Sequence, residues 1–272
     1  MTSSAANPSA YPKPIGPWQN RVRCTPVRQI TADELKSWIL FEDERVFVVN
    51  KPGDLVCHPS KDGPWSSLVG AAREYLGLAA VHLVFRLDRE TSGIVLFAKD
   101  PMTGRKMQMG AERRRYEKEY LAIHWGELPG VLEIDQPLGP DFESVVNVKR
   151  RVVALGEAGA QTAKTCFTPI QVGHGYTLSR VKTETGRQHQ IRAHAQWAGF
   201  PLVGDKIYGP DARLYLNFVE DGWSSALSNR LLLPRQALHC SRVDLTLMDE
   251  PYVFESALPA DLRYFCREKI GS

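Results

Sequence analysis

The chain has 272 residues, 43% of them hydrophobic and 24% charged, with a formal net charge of +3. This balance excludes a disordered or fibrous chain and points to one large globular domain or two small ones. Five scattered cysteines (Cys24, Cys57, Cys166, Cys240, Cys266) with no CxxC pair argue against a zinc ribbon and a disulfide framework, and no apolar run approaches the roughly 18 residues of a membrane helix.

Residues 1–30 carry Pro8, Pro12, Pro14, Pro17 and Pro26 among Ser and Ala. They are expected to be a Pro-rich, flexible or loosely docked tail, because few apolar side chains offset the entropy of ordering. Thr31 to Leu35 reads as a helix start, with Thr31 as cap and Glu34 at the capping-box position. Arg45 to Asn50 is β-rich and ends at Lys51-Pro52-Gly53. Trp65 to Leu76 has helical spacing, with Leu68, Ala71, Ala72 and Tyr75 on one face and Gly77 as cap.

The stretch Leu83 to Phe97 organises the chain. Its ends are apolar and strand-like, and its middle holds Arg86, Asp88, Arg89 and Glu90 within five positions. The spacing predicts a strand, a polar loop carrying Asp88, a turn at Thr91-Ser92-Gly93, and a second strand. Taken alone, Asp88 is equally a structural carboxylate paired with Arg86 or Arg89.

Pro101 opens a helix that runs toward Arg113-Arg114-Arg115, and Tyr116 to Trp125 alternates as a strand carrying Tyr120. Tyr120 is either an ordinary core tyrosine or an aromatic face for a base. Val145 to Arg180 is strand-like with turn signals, and Gln188 to Trp197 reads as a helix closed by Gly199 and Pro201. On that helix Gln188 and His189 share a face with Arg192, while Ile191 and Ala195 face the core. Arg192 beside buried surface needs an anion, and Asp88 is the candidate. His189 and His194, five apart, do not form a metal pair on a helix. From Pro234 onward one or two strands and a short helix are expected.

Strands outnumber helices without βαβ alternation, so the fold class is α+β, with a large mixed, mostly antiparallel sheet and flanking helices. No P-loop, GxGxxG, GxSxG or HExxH motif occurs. Two basic runs, Arg105 to Lys118 and Lys149 to Arg151, suit phosphate contacts if they flank a cleft.

These segments together resemble the RluA-type RNA pseudouridine synthases. Arg86-Leu-Asp88-Arg-Glu-Thr-Ser-Gly93 is similar to the family's HRLDxxTSG loop, and Asn50-Lys51-Pro52 with His58-Pro59 to its first motif. Lys118-Glu-Tyr120-Leu-Ala, Gly186-Arg-Gln-His-Gln-Ile-Arg192, Pro201 to Asp205, Tyr208-Gly209, Gln236 to His239 and Leu258-Pro259 follow in the family's order. Two positions depart from the pattern: Phe85 stands for His, a change expected to serve core packing, and Gln188 stands for Thr.

The resemblance implies a pseudouridine synthase fold with a central RNA-binding cleft, and 31–272 as the catalytic domain without an S4 domain. It implies isomerisation of uridine in ribosomal or transfer RNA, by base flipping, with no cofactor and no metal. Asp88, Tyr120 and Arg192 are then the expected catalytic residues, and Arg86, Arg187, His189 and Gln190 the expected RNA-binding ones. A cytoplasmic monomer is expected, since scattered cysteines fit a reducing compartment. Two other readings stand beside this one: an RNA binder that kept the fold without chemistry, and an RNA-directed hydrolase using Asp88.

Overall fold

The computed structural model describes residues 28–58 and 62–271. The expected tail over 1–30 therefore falls almost wholly outside the described residues, as does Pro59 of the first motif. No described helix is long and apolar enough to cross a membrane.

Helix α1 (Ala32–Ser37) starts at the expected capping box: Thr31 accepts from the Glu34 amide, and Glu34 accepts from the Thr31 amide. Strands β1 (Ile39–Glu42) and β2 (Val46–Lys51) form an antiparallel pair. Helix α2 (Leu68–Leu76) follows a 3-10 turn, begins at Ser67 and ends at a left-handed Gly77. Strand β3 is only His82–Leu83, and β4 is Ser92–Ala98. The expected strand, Asp88 loop and strand are present, with the first strand cut to two residues. Helix α3 (Pro101–Glu112) is capped by Asp100.

Strand β5 (Glu117–Trp125) is followed by β6 (Leu132–Asp135) and the small hairpin of β7 (Leu138–Pro140) with β8 (Arg150–Val152). The long strands β9 (Lys164–Gly173) and β10 (Tyr176–Thr183) precede helix α4 (Gln190–Trp197). Helices α5 (Arg213–Asp221) and α6 (Ser225–Leu231) fill a region the sequence left unassigned. Strands β11 (Leu238–Asp244) and β12 (Val253–Glu255) and helix α7 (Ala260–Phe265), with a following π turn, complete the chain.

Ten strands join in one sheet, ordered β1-β2-β4-β11-β5-β10-β9-β6, with β3 on β4 and β12 on β11. Every pairing is antiparallel except β4 with β11. The sheet is thus mixed and mostly antiparallel. Strand β4 is buried at every position, and Val46 to Val49 of β2 are fully buried, so both read as continuous apolar runs. The close β4–β11 approach explains Gly93: its φ is +111°, and a Cβ there would strike the Cys240 carbonyl.

The helix expected over Gln188–Trp197 is shorter. It starts at Gln190, because His189 sits in the left-handed region with φ 57°. Gln188 and His189 therefore do not share a helical face with Arg192. Gln188 instead accepts from Arg150 Nε at 3.0 Å.

Candidate active site

The polar loop between β3 and β4 is fixed from beneath. Lys51, fully buried at the end of β2, donates to the carbonyls of Pro52, Leu55 and Arg89 at 2.9, 2.9 and 3.0 Å. An ammonium has three hydrogens, and each meets one oxygen. Burial pushes Lys51 down to about 8. On the other side Gln236 donates to Thr91 Oγ1 at 2.7 Å, and Lys206 Nζ donates to Glu90 Oε1 at 2.6 Å. Arg89 turns outward to Asp54 at 2.9 Å. Neither Arg86 nor Arg89 pairs with Asp88, which leaves Asp88 free to face the opposite wall.

That wall is α4. Arg192 Nη1 donates to Asp88 Oδ2 at 2.9 Å, joining residues 104 positions apart. The same guanidinium makes a two-pronged pair with Asp205: Nε at 2.6 Å and Nη2 at 2.9 Å. Asp205 also accepts the backbone amides of Ile207 and Tyr208, both at 2.9 Å. The Tyr208 ring lies 4.9 Å from the guanidinium centre. Arg192 is thus the shared partner of two carboxylates. Asp205 is wholly buried, whereas the Asp88 side chain keeps 30% of its surface. Burial alone would raise the Asp88 carboxyl, but the Arg192 charge and hydrogen bond, together with its other neighbours, outweigh it and hold Asp88 below its ordinary value. The same contest holds Asp205 low and Arg192 above its ordinary value.

Asp88 opens onto a cleft of about 520 Å³ that is also lined by Arg86, Tyr120, Arg187, His189 and Arg192. The expected site residues Asp88, Tyr120 and Arg192 are therefore brought together. Tyr120 is buried on β5, opposite Cys240 of β11, and burial pushes its hydroxyl well above the usual phenol value. It is a neutral phenol at pH 7. Arg86 is exposed and makes no ion pair among the described residues. Arg187 is exposed and anchored through Nε to the Thr162 carbonyl at 3.1 Å.

Gln190 differs from its expected role. Its oxygen accepts from the Thr185 hydroxyl and the Arg187 amide, and its nitrogen donates to the Lys164 carbonyl and Thr165. All four hydrogen-bonding positions of the amide are occupied, so Gln190 braces the turn before α4 and has nothing left to offer RNA. The Phe85 expectation also changes. Its ring touches the core on one side but forms cleft wall on the other, 6.0 Å from the Tyr116 ring. Lys118 Nζ lies 4.8 Å from the Phe85 ring and has no carboxylate partner among the described residues. Burial pulls Lys118 below its ordinary value.

The two basic runs do not flank the cleft as expected. Of the first run only Arg114 and Lys118 line it. Arg105, Lys106, Arg113 and Arg115 border a separate hollow with Met102, Met109 and Met248, and Lys106 and Arg115 pair with Glu250 and Asp249. In the second run Lys149 pairs with Asp141 and Arg151 with Glu157. His194 is satisfied by Thr165 and the Gln136 carbonyl. No cluster of three or more metal-ligating side chains occurs among the described residues.

Sequence reasoning gave no role to Asp205, Tyr208 or Lys51. The signal for Asp205 was available: a buried arginine has two donor edges, and Asp88 occupies only one.

Comparison with known proteins points to one family. Residues 45–197 match the family described as RNA pseudouridylate synthase. The RNA pseudouridine synthase YhcT of Bacillus subtilis is 33% identical over 238 residues, covering 84% of this chain and 71% of the relative. The ribosomal large subunit pseudouridine synthase D of Vibrio parahaemolyticus is 31% identical, covering 85% and 70%. Among solved structures, human RNA pseudouridylate synthase domain containing 4 superposes with a TM-score of 0.67 at 23% identity, covering 87% of this chain and 94% of that one. At that identity the likeness is one of fold.

Proposed function

The chain belongs to the RNA pseudouridylate synthase family and is an isomerase acting on RNA, and from that premise we propose that Asp88, Arg192 and Tyr120 carry its chemistry, in the manner of the RluA type. The observation that supports this most is the 2.9 Å pair between Arg192 and a carboxylate that still opens onto the cleft.

In the reaction the N1–C1′ bond of a uridine breaks, a C5–C1′ bond forms, C5 loses a proton and N1 gains one. Nothing else is consumed. Asp88 is held ionised at neutral pH by Arg192, as a nucleophile or base must be. Arg192 in turn is held by Asp205, so the carboxylate has a fixed aim. Tyr120 offers a ring for the uracil to stack on and a protonated hydroxyl for proton transfer. The cleft has the volume of a small-molecule site, so it takes one extruded nucleotide and not a duplex. Extrusion costs a few kcal/mol, which stacking on Tyr120 and contacts from Arg86 and Arg187 offset. In this reading Arg86, exposed at the cleft and without an ion pair among the described residues, braces the gap left in the RNA.

Ribosomal RNA is the substrate class to test first, because a relative with 31% identity carries a ribosomal name; transfer RNA is the second. The experiment is chemical mapping of pseudouridine in total RNA from cells with and without the protein. One or a few sites should vanish without it, return with wild type, and stay absent with Asp88→Asn. Loss of a base with no pseudouridine would mark a hydrolase, and return of the sites with Asp88→Asn would remove Asp88 from the mechanism.

A further inference from the structure

His189 stands at the cleft wall with a backbone that non-glycine residues seldom adopt, φ 57°. Such a conformation costs about 1 kcal/mol or more and persists where the surroundings enforce it. Its side chain rests on Tyr208, which is fully buried behind it. The Tyr208 hydroxyl accepts the Arg150 backbone amide at 2.7 Å and lies 3.0 Å from His189 Nδ1, the two rings meeting edge-on at 89°.

The proton on that hydroxyl decides the state of the imidazole. With a hydrogen on Nδ1, the hydroxyl would accept twice, and its own hydrogen would be buried without an acceptor among the described residues. Leaving a buried donor unmet costs about 1–3 kcal/mol. With Nδ1 bare, Tyr208 donates to it and every group is satisfied. The ring proton then sits on Nε2. Burial and the neighbouring Arg192 charge push His189 down to about 4, so the ring is neutral at pH 7.

Nε2 is on the cleft side, 3.9 Å from Asp88 Oδ2. That distance is too long for a hydrogen bond. Beside the carboxylate, the N–H therefore has no acceptor among the described residues. A cation there would compete with Arg192 for Asp88; a neutral donor does not.

Resting on the synthase reading of the cleft, we propose that His189 is a substrate-contacting hydrogen-bond donor, locked by Tyr208 in the Nε2–H tautomer and presented to a carbonyl oxygen of the extruded uracil. The carbonyl oxygens gain negative charge as the N1–C1′ bond breaks. A donor already aimed and uncharged stabilises that charge without reorganising. Tyr208 is the positioning residue, since it acts only through His189.

Two measurements on the full-length protein test this separately. The first needs no RNA: imidazole nitrogen NMR on protein labelled at histidine, with the His189 signals assigned by their loss in His189→Gln. A bare Nδ1 and a protonated Nε2 are expected between pH 6 and 8, as is a mixture of tautomers in Tyr208→Phe. A protonated Nδ1 in the wild type, or an unchanged tautomer in Tyr208→Phe, would overturn the lock.

The second is release of tritium from [5-³H]uridine-labelled total RNA of cells lacking the protein. His189→Phe removes the donor and is expected to slow single turnover by about tenfold or more, by analogy with other transition-state donors, with RNA affinity held. His189→Gln, which keeps an N–H donor, should recover part of the rate. Wild-type turnover in His189→Phe, or no recovery in a folded His189→Gln, would overturn the donor role. No tritium release from the wild type would instead bear on the synthase reading, and the NMR result would still decide the lock.

Discussion

At the scale of single residues, the site is a competition between two carboxylates for one guanidinium. Asp205 takes two donors of Arg192 in the dry interior, and Asp88 takes the third at the edge of the cleft. Arg192→Met removes a charge that two buried or half-buried carboxylates face, so it should destabilise the fold by about 3–5 kcal/mol. It should also move the acid limb of kcat/KM. In the wild type Asp88 is held below its ordinary value, so activity should persist down to the lower end of the carboxylate range. Without Arg192, burial loses its strongest opponent and the limb should shift toward neutral pH. A limb that stays in place would mean another cation holds Asp88. The sequence supported the Asp88–Arg192 pair through the cost of a buried, unpaired arginine. It did not reveal that Gln190 is spent on its own turn, because hydrogen bonds to the Lys164 carbonyl and Thr165 are invisible to local spacing. Lys118 is the complementary case: a cation over the Phe85 ring, facing the cleft without a carboxylate partner among the described residues. Lys118→Met should lower RNA affinity across sequences and reduce the salt slope of binding by about one. A slope unchanged in a salt titration would show that no phosphate meets it.

At the scale of elements, the loop from Arg86 to Thr91 depends on Lys51 more than on its own turn residues. Lys51 ties together the carbonyls of Pro52, Leu55 and Arg89. Lys51→Met would leave three buried oxygens without their donor, at about 1–3 kcal/mol each before relaxation. The expected result is a markedly lower melting temperature and faster hydrogen exchange at the Leu55 and Thr91 amides, which bond to the Arg89 and Asp88 carbonyls. Exchange that speeds equally everywhere would show global loosening and no special hold on the loop. Legibility varied by element for physical reasons. The capping box of α1 and the cap of α2 are local devices and read directly. The start of α4 was misplaced by two residues because a left-handed histidine has no sequence signature. Helices α5 and α6 pack a side cluster around Leu214, Leu227 and Leu231, whose meaning depends on neighbours far along the chain.

At the scale of the whole molecule, several histidines are buried as neutral rings. His124 is held by Ser179 and the Phe200 carbonyl, and His239 by Ser92 and the Ser256 carbonyl. Burial pushes His124, His189 and His239 each down to about 4. An unfolded histidine takes up its proton near pH 6.5. Between about pH 6.5 and about pH 4 the unfolded chain therefore binds more protons than the folded one, and stability falls as pH falls. Denaturant titrations at pH 7, 6 and 5 should show a midpoint that drops steadily while the slope is unchanged. A midpoint that stays level from pH 7 to pH 5 would mean these rings protonate in place.

The order of the sheet also sets a schedule. Strand β11 is among the last to be made, yet it is an interior strand, parallel to β4 on one side and antiparallel to β5 on the other. Among the described residues, β4 beside Asp88 and β5 bearing Tyr120 do not pair with each other; residues 238–244 supply the pairing that links the two halves of the sheet. A single late strand is therefore what joins the two halves into one sheet.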